Sequence, residues 1–66
     1  MEITLNGEKH FLAEPLSVVD LLRTLAIDPE KVAVELDRRI VRVPDWGGTI
    51  VADGAVVEVV QFVGGG

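Results

Sequence analysis

The sequence predicts an α+β domain in which one helix packs across a mixed sheet of four to five strands. Segments of alternating apolar and polar residues lie on both sides of a single segment with helical spacing. The pairs Asn6-Gly7 and Asp53-Gly54 favour tight turns between strands. Segment 55–63 is rich in valine, as expected for the strand at the centre of the sheet.

Composition limits the chain to one folded domain. With 66 residues, 48% of them hydrophobic and 26% charged, it has enough apolar surface for one small core. It contains no cysteine, which excludes disulfides and thiolate metal ligands. The net charge of -5 argues against binding to nucleic acid or to an anionic membrane, and favours a basic protein partner.

The N-terminal residues, Met1-Glu2-Ile3-Thr4, lack the basic and apolar regions of a secretion signal. No apolar run approaches the ~18 residues that cross a membrane. We therefore expect a cytoplasmic protein. We also expect the free chain to be monomeric.

The first predicted element is a hairpin around Asn6-Gly7, whose two-residue type I′ turn sets the register of the strands. His10 then lies on the core side of an edge strand. No hydroxyl or thiol nucleophile is placed beside His10, so we expect a packing residue and not a catalytic base. The expected pairs are Leu5 with Glu8, Ile3 with His10 and Met1 with Leu12.

A single helix follows the hairpin. Ser17 is the expected N-cap, with Asp20 in the capping-box position and Leu16 packed against Leu21. Asp28-Pro29 is expected to end the helix. Its apolar face comprises Val18, Leu21, Leu22 and Leu25.

Two more strands are expected before the last one. Segment 32–36 alternates apolar and polar residues, and Asp37-Arg38 turns the chain into a fourth strand over 39–43. Trp46 follows in a turn-rich segment, where its ring is expected to close the edge of the core. Gly47-Gly48 belongs to that turn, because it lacks the strand-to-helix context of a phosphate-binding loop.

Placing the last strand beside the first, in parallel, lets the one helix cover the mixed sheet. This order is the β-grasp arrangement, as in ubiquitin. The predicted core comprises Ile3, Leu5, Leu21, Leu22, Leu25, Val34, Leu36, Val57 and Val59.

The chain is predicted to divide into a domain, residues 1–63, and a flexible tail, residues 64–66. Glycine has no Cβ, so Gly64-Gly65-Gly66 forms a narrow thread. Three extended residues reach roughly 10 Å, which would let the α-carboxylate of Gly66 enter a partner's active site. A carboxylate is a poor electrophile and must first be activated to react. The alternative interpretation is an inert tail.

No catalytic constellation, phosphate loop or metal-ligand cluster is evident in the sequence. The carboxylates fall at predicted caps and turns, where we expect them to be solvated. An enzyme acting alone is therefore not expected, nor is a bound cofactor or metal. These carboxylates are Glu14, Asp20, Asp28, Glu30, Asp37, Asp45 and Asp53.

The whole chain resembles the ThiS family, the sulfur carriers of thiamine biosynthesis. Ala55 departs from the acidic residue that often follows Gly54 in that family, and Asp37 stands where many relatives have asparagine; both are turn positions. The segments that carry the resemblance are 5–7, 17–22, 32–36, 40–41, Trp46, 53–54 and 57–66.

The resemblance implies a mechanism and a set of partners. A ThiF-like adenylating enzyme would use ATP and magnesium to convert the Gly66 carboxylate into an acyl-adenylate. Sulfur from a cysteine desulfurase or a similar donor would displace AMP and leave a thiocarboxylate. A ThiG-like thiazole synthase would then receive the sulfur. Because Phe62 lies close to the reacting end, we also expect it to form an exposed apolar patch with one or two valines near the end of the last strand. The residues expected to contact the partners are Phe62, Val63, Gly64 and Gly65, although Phe62 could equally belong to the core.

Three alternatives remain open. A MoaD-type carrier of molybdenum-cofactor biosynthesis shares the fold, the ending and the chemistry. A ubiquitin-like modifier uses the same activation but transfers its acyl group to an amine. A plain β-grasp interaction module would not be modified at all.

Overall fold

A computed structural model describes residues 1–62. Val63 and the predicted flexible tail, residues 64–66, lie outside the described residues, so the predicted domain boundary stays a prediction. The elements are β1 (Glu2–Leu5), β2 (Glu8–Phe11), β3 (Leu16–Ser17), α1 (Val18–Thr24), β4 (Val32–Leu36), β5 (Arg39–Val41), β6 (Ile50–Val51) and β7 (Val56–Gln61), with 3-10 turns at Pro29–Lys31 and Val43–Asp45.

The main sheet has five strands in the order β2-β1-β7-β4-β5. The first and last strands run parallel, with Thr4 opposite Val56 and Leu5 opposite Val57. The other neighbouring strands are antiparallel. The predicted mixed sheet and its β-grasp order are therefore confirmed.

The two hairpins form as predicted because their turn residues adopt left-handed backbone angles. Asn6 and Gly7 have φ angles of 50° and 81°, and Asp37 and Arg38 have φ angles of 49° and 70°. The first hairpin has the predicted register, with Ile3 opposite a half-buried His10. His10 is thus the partly covered packing residue that the sequence predicts.

The helix starts where predicted. The Oγ of Ser17 accepts a hydrogen bond from the amide of Asp20 at 3.1 Å. The Asp20 carboxylate accepts from Arg23 at 3.4 Å. The predicted role of Ser17 as the N-cap is therefore confirmed.

The predicted end of the helix is wrong: α1 ends at Thr24, before Asp28-Pro29. The amide of Ile27 donates to the carbonyl of Leu22 at 2.9 Å. The amide of Ala26 donates to the carbonyl of Arg23 at 3.0 Å. These two bonds form a Schellman motif, whose left-handed position is usually glycine. Here Ala26 occupies it at φ 56°, so the motif has no clear sequence signature.

The fourth strand is shorter than the predicted segment 39–43, because a 3-10 turn with Pro44 begins at Val43. Trp46 follows this turn and is buried, as predicted. Its Nε1 donates to the carbonyl of Val41 at 2.8 Å, so the indole is satisfied inside the core.

A second, two-stranded sheet is absent from the sequence prediction. Its strands, β3 and β6, pair antiparallel, with Leu16 opposite Val51 and Ser17 opposite Ile50. Strands of two residues show no alternation from which they could be predicted.

All of the predicted core residues belong to the hydrophobic core. Leu25, Leu36 and Val59 are partly buried at its edge, and the others are buried. Within residues 1–62, no helix is long and apolar enough to cross a membrane. Buried residues that the sequence did not assign to the core are Leu12, Val32, Val51 and Ala55.

We expect Leu22→Ala to lower the free energy of unfolding by about 2 to 5 kcal/mol, because the side chain is fully buried between helix and sheet. Val43→Ala, at an exposed position, should change it by less than about 0.5 kcal/mol. Chemical denaturation of both variants measures the difference. Equal denaturation midpoints for Leu22→Ala and Val43→Ala would mean that the helix does not cover the core.

Candidate functional site

The candidate site is the C-terminal end of β7, from which the glycine residues continue. Phe62 is the last residue that the structure describes. The other predicted site residues, Val63, Gly64, Gly65 and Gly66, lie outside the described residues. The structure therefore defines the base of the site, and the reactive carboxylate stays a prediction.

β7 holds this base in the middle of the sheet. It pairs in parallel with β1 and antiparallel with β4, with Val34 opposite Val59 and Val32 opposite Gln61. Val57 and Val59 face the helix, and Val57 is fully buried. The strand that leads to Phe62 is thus held on both edges and packed on one face.

The side chain of Asn6 extends the pairing of β7 beyond the end of β1. Its Oδ1 accepts from the amide of Val59 at 2.8 Å, and its Nδ2 donates to the carbonyl of the same residue at 3.3 Å. The backbone amide of Asn6 also donates to the carbonyl of Val57 at 2.9 Å. An asparagine amide presents a donor and an acceptor as a peptide group does, so it substitutes for the next residue of a strand.

The pairing with β4 also continues to the end of the described chain. The amide of Phe62 donates to the carbonyl of Lys31 at 2.8 Å. Lys31 belongs to the 3-10 turn, whose start is capped by the Asp28 carboxylate at 2.9 Å from the amide of Glu30. β4 itself begins at Val32, because the 3-10 turn before it is not extended.

Phe62 is not a core residue, because 58% of its surface is exposed. Its ring lines a groove of about 590 Å³ on the helix side of the sheet, which we call the helix-side groove. Other apolar side chains of the groove come from α1, the start of β4 and the segment that carries Trp46. They include Leu22, Val32, Val43 and Trp46.

The valines of β7 that the sequence suggested as neighbours of Phe62 lie elsewhere. Val56 and Val60 alternate with Val57 and Val59, so they point to the face of the sheet opposite α1, and both are exposed. Phe62 and Val60 therefore lie on different sides of the sheet, while Val63 lies outside the described residues.

The described residues offer few groups for chemistry. Within residues 1–62 no cluster of three or more His, Asp or Glu side chains could hold a metal ion. Several carboxylates that were expected to be solvated accept backbone hydrogen bonds. Asp37 accepts from the amide of Val56 at 2.9 Å, and Asp53 from the amide of Glu2 at 2.8 Å.

Comparison with known proteins identifies the family. The sequence model of the ThiS family matches residues 1–66. The chain belongs to the ThiS family. A ThiS thiamine biosynthesis protein from Geobacter metallireducens, solved by crystallography, is 38% identical and superposes with a TM-score of 0.89 over the full length of both chains. The resemblance that the sequence motifs indicated is confirmed.

Two curated relatives of this ThiS-family chain are named thiazole synthase. The protein from Magnetococcus marinus is 39% identical and that from Paramagnetospirillum magneticum 38% identical, each over the whole of this chain. The chain spans only 20% of the length of either relative. The similarity thus concerns one segment of these longer proteins.

Sequence reasoning missed the contact between Asn6 and Val59. Asn6-Gly7 was interpreted only as a hairpin turn, and a turn residue's contact with a strand 53 positions away leaves no local pattern. The helix-side groove was missed too, because its walls come from residues that appear as core positions in the sequence.

Substitutions at Asn6 test the extension of β7. We expect Asn6→Gly, which tolerates the left-handed angle but removes both side-chain bonds, to lower the free energy of unfolding by about 1 to 2 kcal/mol. It should also speed hydrogen exchange at the Val59 amide. Asn6→Asp keeps the acceptor for that amide and is the matched control, with slow exchange retained. Equal exchange rates in both variants would contradict the role of the side chain.

Proposed function

We propose that this chain is a sulfur carrier protein for the formation of the thiamine thiazole, and that it carries the sulfur on its C-terminal glycine. The observation that carries the proposal is the match of the ThiS family to the whole chain. The occurrence of a similar segment within proteins named thiazole synthase supports thiazole synthase as the acceptor.

The proposed reaction begins at the Gly66 carboxylate. A ThiF-like enzyme transfers AMP from ATP, with magnesium, to a carboxylate oxygen and releases pyrophosphate. The product is a mixed anhydride, in which AMP is a good leaving group. A persulfide from a cysteine desulfurase or a similar donor then attacks the carbonyl and displaces AMP. Reductive cleavage of the S–S bond leaves the thiocarboxylate, which passes its sulfur to a ThiG-like thiazole synthase.

In this mechanism the chain acts as a carrier on which its partners perform chemistry. Its own contribution is to present a carbonyl that a nucleophile can approach. Glycine suits this role because it adds no side chain beside the reacting carbon. Since the chain has no cysteine, the thiocarboxylate would be its only anionic sulfur nucleophile.

The hydrogen-bonded base of the site supports the proposed transfer. Phe62 is held by Lys31, and four residues follow it in the sequence. Four extended residues span roughly 13 to 14 Å. A tail of this length would carry Gly66 into a partner's active site while the sheet remains at the entrance.

We expect Gly65→Val, and separately deletion of Gly66, to abolish loading with sulfur while the free energy of unfolding stays within about 0.5 kcal/mol of wild type. The valine adds bulk beside the reacting carbonyl, and the deletion withdraws the carboxylate by roughly 3.5 Å, where an error of ~1 Å already costs about 10²-fold. The assay combines protein, ATP, magnesium, a ThiF-type enzyme, a persulfide donor and a thiol reductant, and follows intact mass for exchange of oxygen by sulfur.

The matched control is Gly47→Val, which adds the same side chain where no atom outside Gly47 and its two chain neighbours lies within 4 Å of the new Cβ. It should load normally. Wild-type protein that stays at its unmodified mass with an active enzyme set would overturn the carrier proposal, as would normal loading of the Gly66 deletion. A product joined to lysine would instead indicate a protein modifier.

The second functional prediction concerns Phe62, which we propose contacts the adenylating enzyme. Phe62→Ala should leave the melting temperature nearly unchanged, because the ring is exposed, and should raise the KM for adenylation several-fold through loss of an aromatic contact. Phe11→Ala removes an even more exposed ring, 77% against 58%, on the edge strand β2 and should leave KM unchanged. A large loss of stability in Phe62→Ala, with normal activation of the folded fraction, would contradict the contact.

A further inference from the structure

The helix-side groove is open to solvent although most of the side chains that line it are apolar. Phe62 and Val43 line it and are 58% and 64% exposed, whereas Leu22 and Trp46, which also line it, are buried. A segment of chain that entered the groove would remove apolar surface of Phe62 and Val43 from water, which is favourable. The groove therefore suits an occupant that is narrow and partly apolar.

The course of the last strand leads to this groove. The amide of Phe62 donates to the carbonyl of Lys31 at 2.8 Å, and β7 runs antiparallel to β4. A chain that continues in the same direction passes the residues that precede Lys31. These are Glu30 and Pro29, and both line the groove. The chain after Phe62 thus starts at the wall of the groove and is directed along it.

The residues that follow Phe62 match the groove in size and chemistry. Val63 has one apolar side chain, and the three glycines after it have none, so the segment is narrow. Four extended residues span roughly 13 to 14 Å. The seven-residue helix α1, which contributes Leu22 to the groove, is only about 10 Å long. Residues 63–66 are therefore long enough to cross the groove.

Charge determines where the end of this segment fits. Among the described residues that line the groove, Arg23 and Glu30 are charged. The guanidinium of Arg23 is 3.4 Å from the Asp20 carboxylate, and its side chain is 78% exposed. With five donors it can bind a second carboxylate and keep Asp20. Glu30 repels a carboxylate but lies beside the start of the segment, so a terminal carboxylate is favoured at Arg23.

We propose that residues 63–66 of the free protein fold back into the helix-side groove, with Val63 against its apolar wall and the Gly66 carboxylate bound to Arg23. This inference rests on the proposed function, in which Gly66 ends in the carboxylate that is adenylated. The contact is autoinhibitory, because the adenylating enzyme binds only the molecules whose segment has left the groove. The released fraction then sets the apparent affinity for the enzyme.

Nuclear Overhauser contacts in the isotope-labelled free protein test the docking directly. Wild type should show contacts between the Val63 methyl groups and the side chains of Leu22 or Val43. Arg23→Gln should lose at least about half of their intensity, because the carboxylate loses its partner. The matched control Arg39→Gln removes the same charge at an exposed position outside the groove and should keep them. A wild type without these contacts would overturn the inference.

Adenylation by a ThiF-like enzyme supplies the second measurement. With the segment docked for about half to four fifths of the time, Arg23→Gln should lower KM about two- to fivefold at unchanged kcat. Arg39→Gln should change neither. Phe62 would affect both the groove and the proposed enzyme contact, so Arg23 is the residue to vary. An unchanged or higher KM in Arg23→Gln would overturn the inference.

The outcomes separate this inference from the proposed function. Absent contacts with normal sulfur loading of wild type would overturn the docking and leave the carrier function intact. Contacts in a wild type that an active enzyme set leaves unmodified would overturn the carrier function, and the docking would stand. Contacts that appear only between differently labelled chains would assign the groove to a second copy. Absent contacts with a higher KM in Val43→Ala would assign it to the enzyme. Either assignment would overturn the inference.

Discussion

The parallel pairing of β1 with β7 is the constraint on which the rest of the structure depends. It joins the two ends of the chain, so the segment between them must supply both the helix and the outer strands. Three turn side chains reinforce it from different positions: Asn6 bonds Val59, Asp37 bonds Val56, and Asp53 bonds Glu2. Each acts on β1 or β7, so residues that appear as simple turns in the sequence hold the two strands that position the tail.

Much of the fold could be predicted because the relevant signals are local. Asn6-Gly7 sets the first hairpin, Ser17 starts the helix, and alternation in segment 32–36 defines β4, all within a few residues. The errors arise where a non-local contact or an unusual residue decides the outcome. Ala26 adopts a left-handed angle that local propensity assigns to glycine, and β6 exists only because it pairs with β3.

The candidate site also combines features that local sequence signals predict with features that depend on non-local contacts. The sequence places Phe62 next to the tail, but it left open whether the ring was buried, because a residue at the end of a strand follows no fixed alternation. In the structure the ring is 58% exposed and lines the helix-side groove together with Pro29 and Glu30 of the 3-10 turn. The pairing of Glu35 with Glu58 could not be predicted either, since it depends on the register between β4 and β7.

β7 also explains how so small a domain combines stability with recognition. Val57 and Val59 contribute to the core, whereas Val56, Glu58 and Val60, between and beside them, face outward. Because the side chains alternate, substitutions on the outer face need not disturb packing on the inner one. The strand that leads to the tail is therefore free to carry polar and charged side chains on its outer face without weakening the core.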